Sequence, residues 1–139
     1  MKMLCAGFEV QLEHGVDIKD ITARVTEIIR RSGVADGQVS VTAIGSTASI
    51  TTIEFEPGAV HDLAEAVARL APQGLSYAHE QAWHDGNGHS HVQAALVGPS
   101  QVFPVRQGIL ALGSWQQVVV INHDNRPRKR RVEVTVTGE

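Results

Sequence analysis

Four of the chain's seven histidines, His79, His84, His89 and His91, are crowded into one short segment. Asp85, Asn87, Gly86 and Gly88 lie among them. Imidazoles at this density, next to a carboxylate and an amide, can ligate a metal, shuttle protons or wall an anion pocket. An active site in this chain would start here. If the segment is extended, His89 and His91 face the same side. If it is helical, they point roughly 200° apart and cannot share a ligand.

Gly45-Ser46-Thr47 is a second chemical feature. A glycine followed by two hydroxyl residues at a bend can aim backbone N–H groups and O–H groups at one oxyanion. It can equally be a β-bulge whose hydroxyls satisfy the neighbouring backbone. Ser100 after Gly98-Pro99 and Gln116 after Trp115 are open to the same two readings, pocket or turn. The run Arg126-Pro127-Arg128-Lys129-Arg130-Arg131 is basic enough to neutralise phosphates. However, it leads into the alternating Val132, Val134 and Val136, as cations do when they protect the edge of a sheet. Trp115 reads as core or as subunit interface, because an indole covers a large apolar area and needs one partner for its N–H.

These residues need a scaffold. Leu4 to Leu12 reads as a strand. An amphipathic helix follows, with Asp17 as N-cap, Ile18, Ile21, Val25, Ile28 and Ile29 along one stripe, and Arg30, Arg31 and Gly33 closing it. Val39 to Ile44 and Ala48 to Phe55 read as two central strands. Val60, Leu63, Ala64, Val67 and Leu70 mark a second helix, which starts after Pro57-Gly58 and ends before Pro72. A long polar segment leads to Val92–Val97, read as a short helix started by Asn87 or Ser90 and stopped at Gly98. The runs 102–105, 109–112, 115–122 and 131–136 have the spacing of a β-meander. The sum is one α+β domain over residues 1–139, with a dominant antiparallel sheet and two long amphipathic helices.

A chain of 139 residues with a formal charge of −3 can bury a core. It is not built to coat nucleic acid or an acidic membrane with its whole surface. The single cysteine, Cys5, excludes an intrachain disulfide, and no long apolar segment is present. A reducing cytoplasm is expected.

The pattern resembles the YjbQ family. The resemblance rests on Tyr77-x-His79, on Asn87-xxx-His91 seven residues ahead of Gly98-Pro99-Ser100, on Leu112-Gly113-Ser114-Trp115-Gln116, and on Asp124 followed by Arg128. It implies a β-rich α+β fold assembling as a homotrimer, with a histidine-lined pocket for metal or anion near subunit boundaries. The implied activity joins an aminopyrimidine carried on pyrophosphate to a thiazole phosphate, as a secondary thiamine-phosphate synthase does. Three positions depart from the family pattern. Gly45 stands where the family has the histidine of its HTTA segment, Ile53-Glu54 replaces Asn-Glu, and Asn122 replaces a glutamate.

The resemblance implies that His79 and His91 are the catalytic histidines and the candidate ligands for a divalent metal such as zinc. Gly45, Ser46, Thr47, Asn87, Ser100, Gln116, Asp124 and Arg128 form the ligand- or phosphate-binding set. Arg128 is chosen from the basic run because a guanidinium can clamp phosphate and pair with Asp124. Three functions follow from this sequence. One is a transferase acting on a small phosphorylated metabolite; the second is a non-catalytic metal- or ligand-binding trimer. The third, disfavoured by the net charge, is a nucleic-acid or protein-interaction module built on Arg126 to Arg131.

Overall fold

The computed structural model describes residues 1–139. The chain runs β1 (Lys2–Leu12), β2 (Asp17–Asp20), α1 (Thr22–Ser32), β3 (Gly37–Ile44), β4 (Ala48–Ile53) and α2 (Pro57–Leu70). It continues through α3 (Ala78–Trp83), α4 (Gly88–Val97), β5 (Ser100–Arg106), β6 (Ile109–Leu110), β7 (Gln117–Asn122) and β8 (Arg128–Gly138). The class is α+β, as expected, with two antiparallel sheets. One has the order β1-β8-β3-β5-β6 and the other β2-β7-β4.

Strand alternation builds the core between the sheets. On β8, Val132, Val134 and Val136 point inward; on β7, Val118 and Val120 meet them together with Val39, Val41 and Ile50. The other face of β7 presents Val119 and Ile121, which pack with Ile18 against Val60, Leu63 and Ala64 of α2. With both faces covered, β7 is hydrophobic without interruption. Each valine fully removed from water contributes about 1.5–3 kcal/mol.

Several expectations change. Asp17 does not cap a helix: residues 17–20 form β2, paired with Val119–Asn122, and α1 begins at Thr22, whose N–H donates to Asp20 Oδ1 at 2.9 Å. Ile18 and Ile21 are still buried, so the apolar pattern was sound, but a strand carries its first part. The strands β3 and β4 lie in different sheets, and β4 is an edge strand, because the bend at Gly45, with φ 138°, turns the chain from one sheet to the other. The last third is not a meander. β5 and β6 form a hairpin, β7 joins the second sheet, and β8 returns between β1 and β3. β8 is central only from Arg131 to Gly138, between β1 and β3; Arg128–Arg130 pair with β1 alone, so the edge-protecting reading of the basic run applies to this first part of the strand. Trp115 is 75% exposed in the single chain, outside its core.

The expected short helix is present as α4, with Asn87 at its N-cap position and Gly98 at its end. The preceding segment holds α3, which sequence periodicity did not reveal in only six residues. A methyl group at Gly88 would come within 2.4 Å of Tyr77 Cβ, so glycine is what lets α4 start against that ring. No helix is long and apolar enough to cross a membrane.

Candidate functional site

The inward alternation of β8 continues one step beyond Val132, to Arg130. That of β7 continues beyond Val120, to Asn122. The two polar ends meet: Arg130 donates to Asn122 Oδ1 from Nε at 3.2 Å and from Nη2 at 2.6 Å. Nη2 also donates to Thr47 Oγ1, just after the Gly45 bend. Thr47 in turn donates to Asp124 Oδ2 at 3.0 Å. Asn87 Nδ2, at the start of α4, donates to Asp124 Oδ1 at 3.2 Å, and Arg128 Nε lies 3.1 Å from Oδ2. Asp124 thus ties the bend, the helix start and the entry to β8 together.

Burial pushes the Asp124 carboxyl up, but the hydrogen bonds from Thr47, Asn87 and Arg128 outweigh it and hold the group below the usual carboxylate range. Asp124 is therefore the anion of this cluster at neutral pH. Arg130 remains a cation despite the downward push of its burial, since arginine does not lose its proton in ordinary conditions.

A cavity of about 280 Å³ opens over this cluster, lined by Gly45, Ser46, Thr47, Asp85, Asn87, His91, Asp124, Arg128 and Arg130 without one apolar side chain. Gly45, Ser46 and Thr47 line it, and their amides donate to no backbone carbonyl. An adjoining cleft of about 500 Å³ shares Gly45, Ser46 and His91 and adds Ala48, Ala94, Ala95 and Pro99. The site is therefore a polar, donor-rich pole next to an apolar trough.

His79 stands behind the wall. Its Nε2 is 3.1 Å from Asp85 Oδ1, and its ring centroid is 4.5 Å from that of His91, tilted by 57°. With Nε2–H donated to Asp85, a neutral His79 presents Nδ1 as an acceptor. The ligand atoms of His79, Glu80 and Asp85 lie within 4.8 Å of one another, which raises the question of a metal. Both carboxylates already accept hydrogen bonds from the loop. Glu80 accepts from the Gly86 and Gly88 N–H groups at 2.7 and 2.8 Å, which hold its carboxyl below the usual range. Asp85 Oδ1 also accepts from the Asn87 N–H at 3.1 Å, the main cause of its own lowered pKa. In this arrangement the group folds the loop.

Of the expected site residues, Gly45, Ser46, Thr47, Asn87, His91, Asp124 and Arg128 come together at the cavity, and His79 supports it. Ser100 and Gln116 do not line it. Ser100 shares a 2.7 Å hydrogen bond with Thr42 across the β3–β5 pair, and Gln116 closes a turn onto Gly113 and reaches Thr52. His84 is exposed at the end of α3. The helical geometry of α4 turns His89 away from His91 into a separate cleft with Glu65, Gln93 and His123.

Sequence reasoning passed over Arg130, although the phase of Val132, Val134 and Val136 marked it as inward. It also passed over His123, 1% exposed, which follows Val119 and Ile121 in the helix-facing phase of β7. Gln93 Nε2 donates to the Ala71 carbonyl at 2.9 Å, so its Oε1 is free to accept from His123 Nδ1 at 3.0 Å. That fixes Nε2 as the acceptor of the Ser49 hydroxyl, 2.7 Å away. Serine, histidine and glutamine thus stand in a relay, but Ser49 is fully buried and no substrate can reach it. Burial, then the charge of Arg130, pulls the His123 pKa down to about 4, which leaves the ring neutral.

Residues 6–139 match the family model described as UPF0047 protein YjbQ-like. A UPF0047 protein of Methanothermobacter thermautotrophicus is 35% identical over 139 residues, covering 100% of this chain and 95% of its own. One from Archaeoglobus fulgidus is 38% identical over 119 residues, covering 86% of this chain and 90% of its own. Among solved structures, a hypothetical protein of Aeropyrum pernix superposes with a TM-score of 0.91 at 30% identity, covering 98% of this chain and 99% of its own. A YbjQ-like protein of unknown function from Sulfolobus solfataricus gives a TM-score of 0.88 at 29% identity, covering 99% of each chain. Sequence and fold agree: the chain belongs to the YjbQ-like UPF0047 family.

Proposed function

We propose that the protein binds a small phosphorylated metabolite, with the phosphoryl group in the polar pole and the rest of the molecule along the apolar trough. The observation that carries this reading is that Gly45, Ser46 and Thr47, whose amides have no backbone partner, line the same cavity as Arg128 and Arg130. Free N–H groups at a bend and guanidinium groups are the two standard ways for a protein to hold phosphate. Ser46, a hydroxyl residue, lines the same cavity.

The finer form of the proposal is a transferase of the thiamine-phosphate synthase kind. The thiazole nitrogen would form a bond to the pyrimidine methylene carbon while the carbon–oxygen bond to pyrophosphate breaks, and the pyrophosphate leaves as an anion. Such a step needs its partners positioned and the departing charge stabilised more than it needs a strong base. The amides and arginines would meet the departing charge, and His91 at the wall would donate to it. The test is formation of thiamine phosphate from the two precursors by wild type and by His91→Ala. Turnover lost in the variant supports the transferase; an inert wild type that still binds thiamine phosphate restricts the function to binding.

A second reading rests on the closeness of His79, Glu80 and Asp85. A divalent ion such as zinc would take His79 and Asp85. Calorimetry with zinc should then give weak binding that His79→Ala abolishes. The proposal also includes a homotrimer, in which Trp115, Leu96 and Val102, now exposed, would be covered. Light scattering of the purified protein tests it. A cytoplasmic setting fits the single free Cys5.

A further inference from the structure

Gly45 has φ 138°, and a methyl group placed on it would come within 2.8 Å of Arg130 Nη1. The guanidinium therefore reaches into the space that a side chain at position 45 would occupy. Arg130 itself is only 8% exposed. Its Nε and Nη2 are engaged with Asn122 and Thr47, whereas Nη1 makes no hydrogen bond within the protein. The nearest carboxylate, Asp124, approaches Nη2 at 3.9 Å and is already held by Thr47, Asn87 and Arg128. Buried arginines normally have their donors paired. Here a cation is anchored on one side and left with free donors on the side that lines the polar cavity.

We propose that Arg130 Nη1 is the group that grips a phosphoryl oxygen of the ligand, and that Gly45 determines specificity by keeping the space in front of it open. This rests on reading the cavity as a phosphate pole, and it names the chemistry recognised there. Nη1, the terminal nitrogens of Arg128, the amides of Gly45 to Thr47 and the Ser46 hydroxyl offer donors from several elements. A carboxylate has two oxygens in one plane and cannot use them all. A terminal phosphoryl group, with three oxygens in three directions, can. The site should therefore select phosphate and phosphomonoesters over carboxylates. Anchoring by Asn122 and Thr47 fixes the guanidinium before the ligand arrives, so little side-chain entropy is lost on binding.

The test is titration of the full-length protein with inorganic phosphate and, separately, acetate. Calorimetry gives the affinity, and nitrogen-15 NMR of the arginine side chains shows which guanidinium responds. Wild type should bind phosphate in preference to acetate and shift the Arg130 Nη signal. Gly45→Ala, which pushes Nη1 out of its place, should weaken phosphate binding by roughly tenfold to a hundredfold, the value of one hydrogen bond to a charged group. Arg128→Ala should weaken binding but leave the Arg130 response intact. Phosphate binding with a stationary Arg130 signal and an unaffected Gly45→Ala would overturn this assignment while the phosphate pole stands. If wild type shows no phosphate binding, the phosphate pole itself fails. Should Gly45→Ala not fold, the wild-type arginine spectrum decides the matter alone.

Discussion

Arg130 and Asn122 join the two sheets, through hydrogen bonds of 3.2 and 2.6 Å from one guanidinium to one amide oxygen. Each residue extends the inward face of its strand past the last valine, so the apolar core ends in a polar pair where the cavity begins. Asn122 Nδ2 continues the connection by donating to the carbonyls of Glu13 and Arg126 at 2.7 and 3.1 Å. The base of the site is therefore also a structural joint.

Asn122→Ala removes the acceptor of a buried cation. The expected cost is about 1.5–3 kcal/mol, the value of hydrogen bonding to a charged group. Urea denaturation with an unchanged m-value should read it as a lower midpoint. An unaltered midpoint would mean that the pair does not hold the sheets.

His123 makes the fold sensitive to acid. Its pKa falls from 6.5 unfolded to about 4 folded, so between those values the unfolded chain takes up a proton that the folded protein refuses. The contribution is fully present above pH 6.5 and is lost as the pH falls towards 4, about 3 kcal/mol in all. Asp124, whose carboxyl is held low, acts in a lower window, below the ordinary aspartate range. Stability of wild type and His123→Phe, measured at intervals from pH 7 to pH 4, should show a slope in the first and a flatter line in the second. Equal slopes would count against a buried neutral His123.

The basic run should not bind nucleic acid. Arg130 is internal, Arg128 is paired with Asp124, Lys129 lies 3.6 Å from Glu9, and Arg131 lies 2.7 Å from Glu133. Fluorescence anisotropy with an oligonucleotide at physiological salt is expected to give no binding tighter than about 100 μM, the weak end of non-specific association. Replacing Arg126, Lys129 and Arg131 together by glutamine should change nothing. Tight, salt-sensitive binding lost in that variant would revive the interaction-module reading.

The parts of the fold that sequence revealed are those with a repeating signal. Val60, Leu63, Ala64 and Val67 marked α2, which begins at Pro57 rather than after Gly58, and the Asn87 and Gly98 boundaries gave α4. The residues Asp17–Asp20 were read as helical because Ile18 and Ile21 fit a helical spacing, whereas pairing with β7, a contact distant in sequence, makes them a strand. The placement of β8 between β1 and β3 depends on equally distant pairing and was not visible locally. At the site, the family resemblance pointed to Gly45, Ser46, Thr47, Asn87, His91, Asp124 and Arg128. Arg130 and His123 were hidden in a charge run and at a strand end, and only alternation counted outward from the valines would have separated them from their exposed neighbours.

The measurement that tests the central claim most directly is calorimetric titration of the protein with thiamine phosphate and with thiamine, two molecules that differ only by the phosphoryl group. A phosphate pole predicts that thiamine phosphate binds at least roughly tenfold more tightly, the worth of one charge-assisted contact, and that Arg128→Ala narrows the gap. Equal affinities, or binding of thiamine alone, would contradict the account.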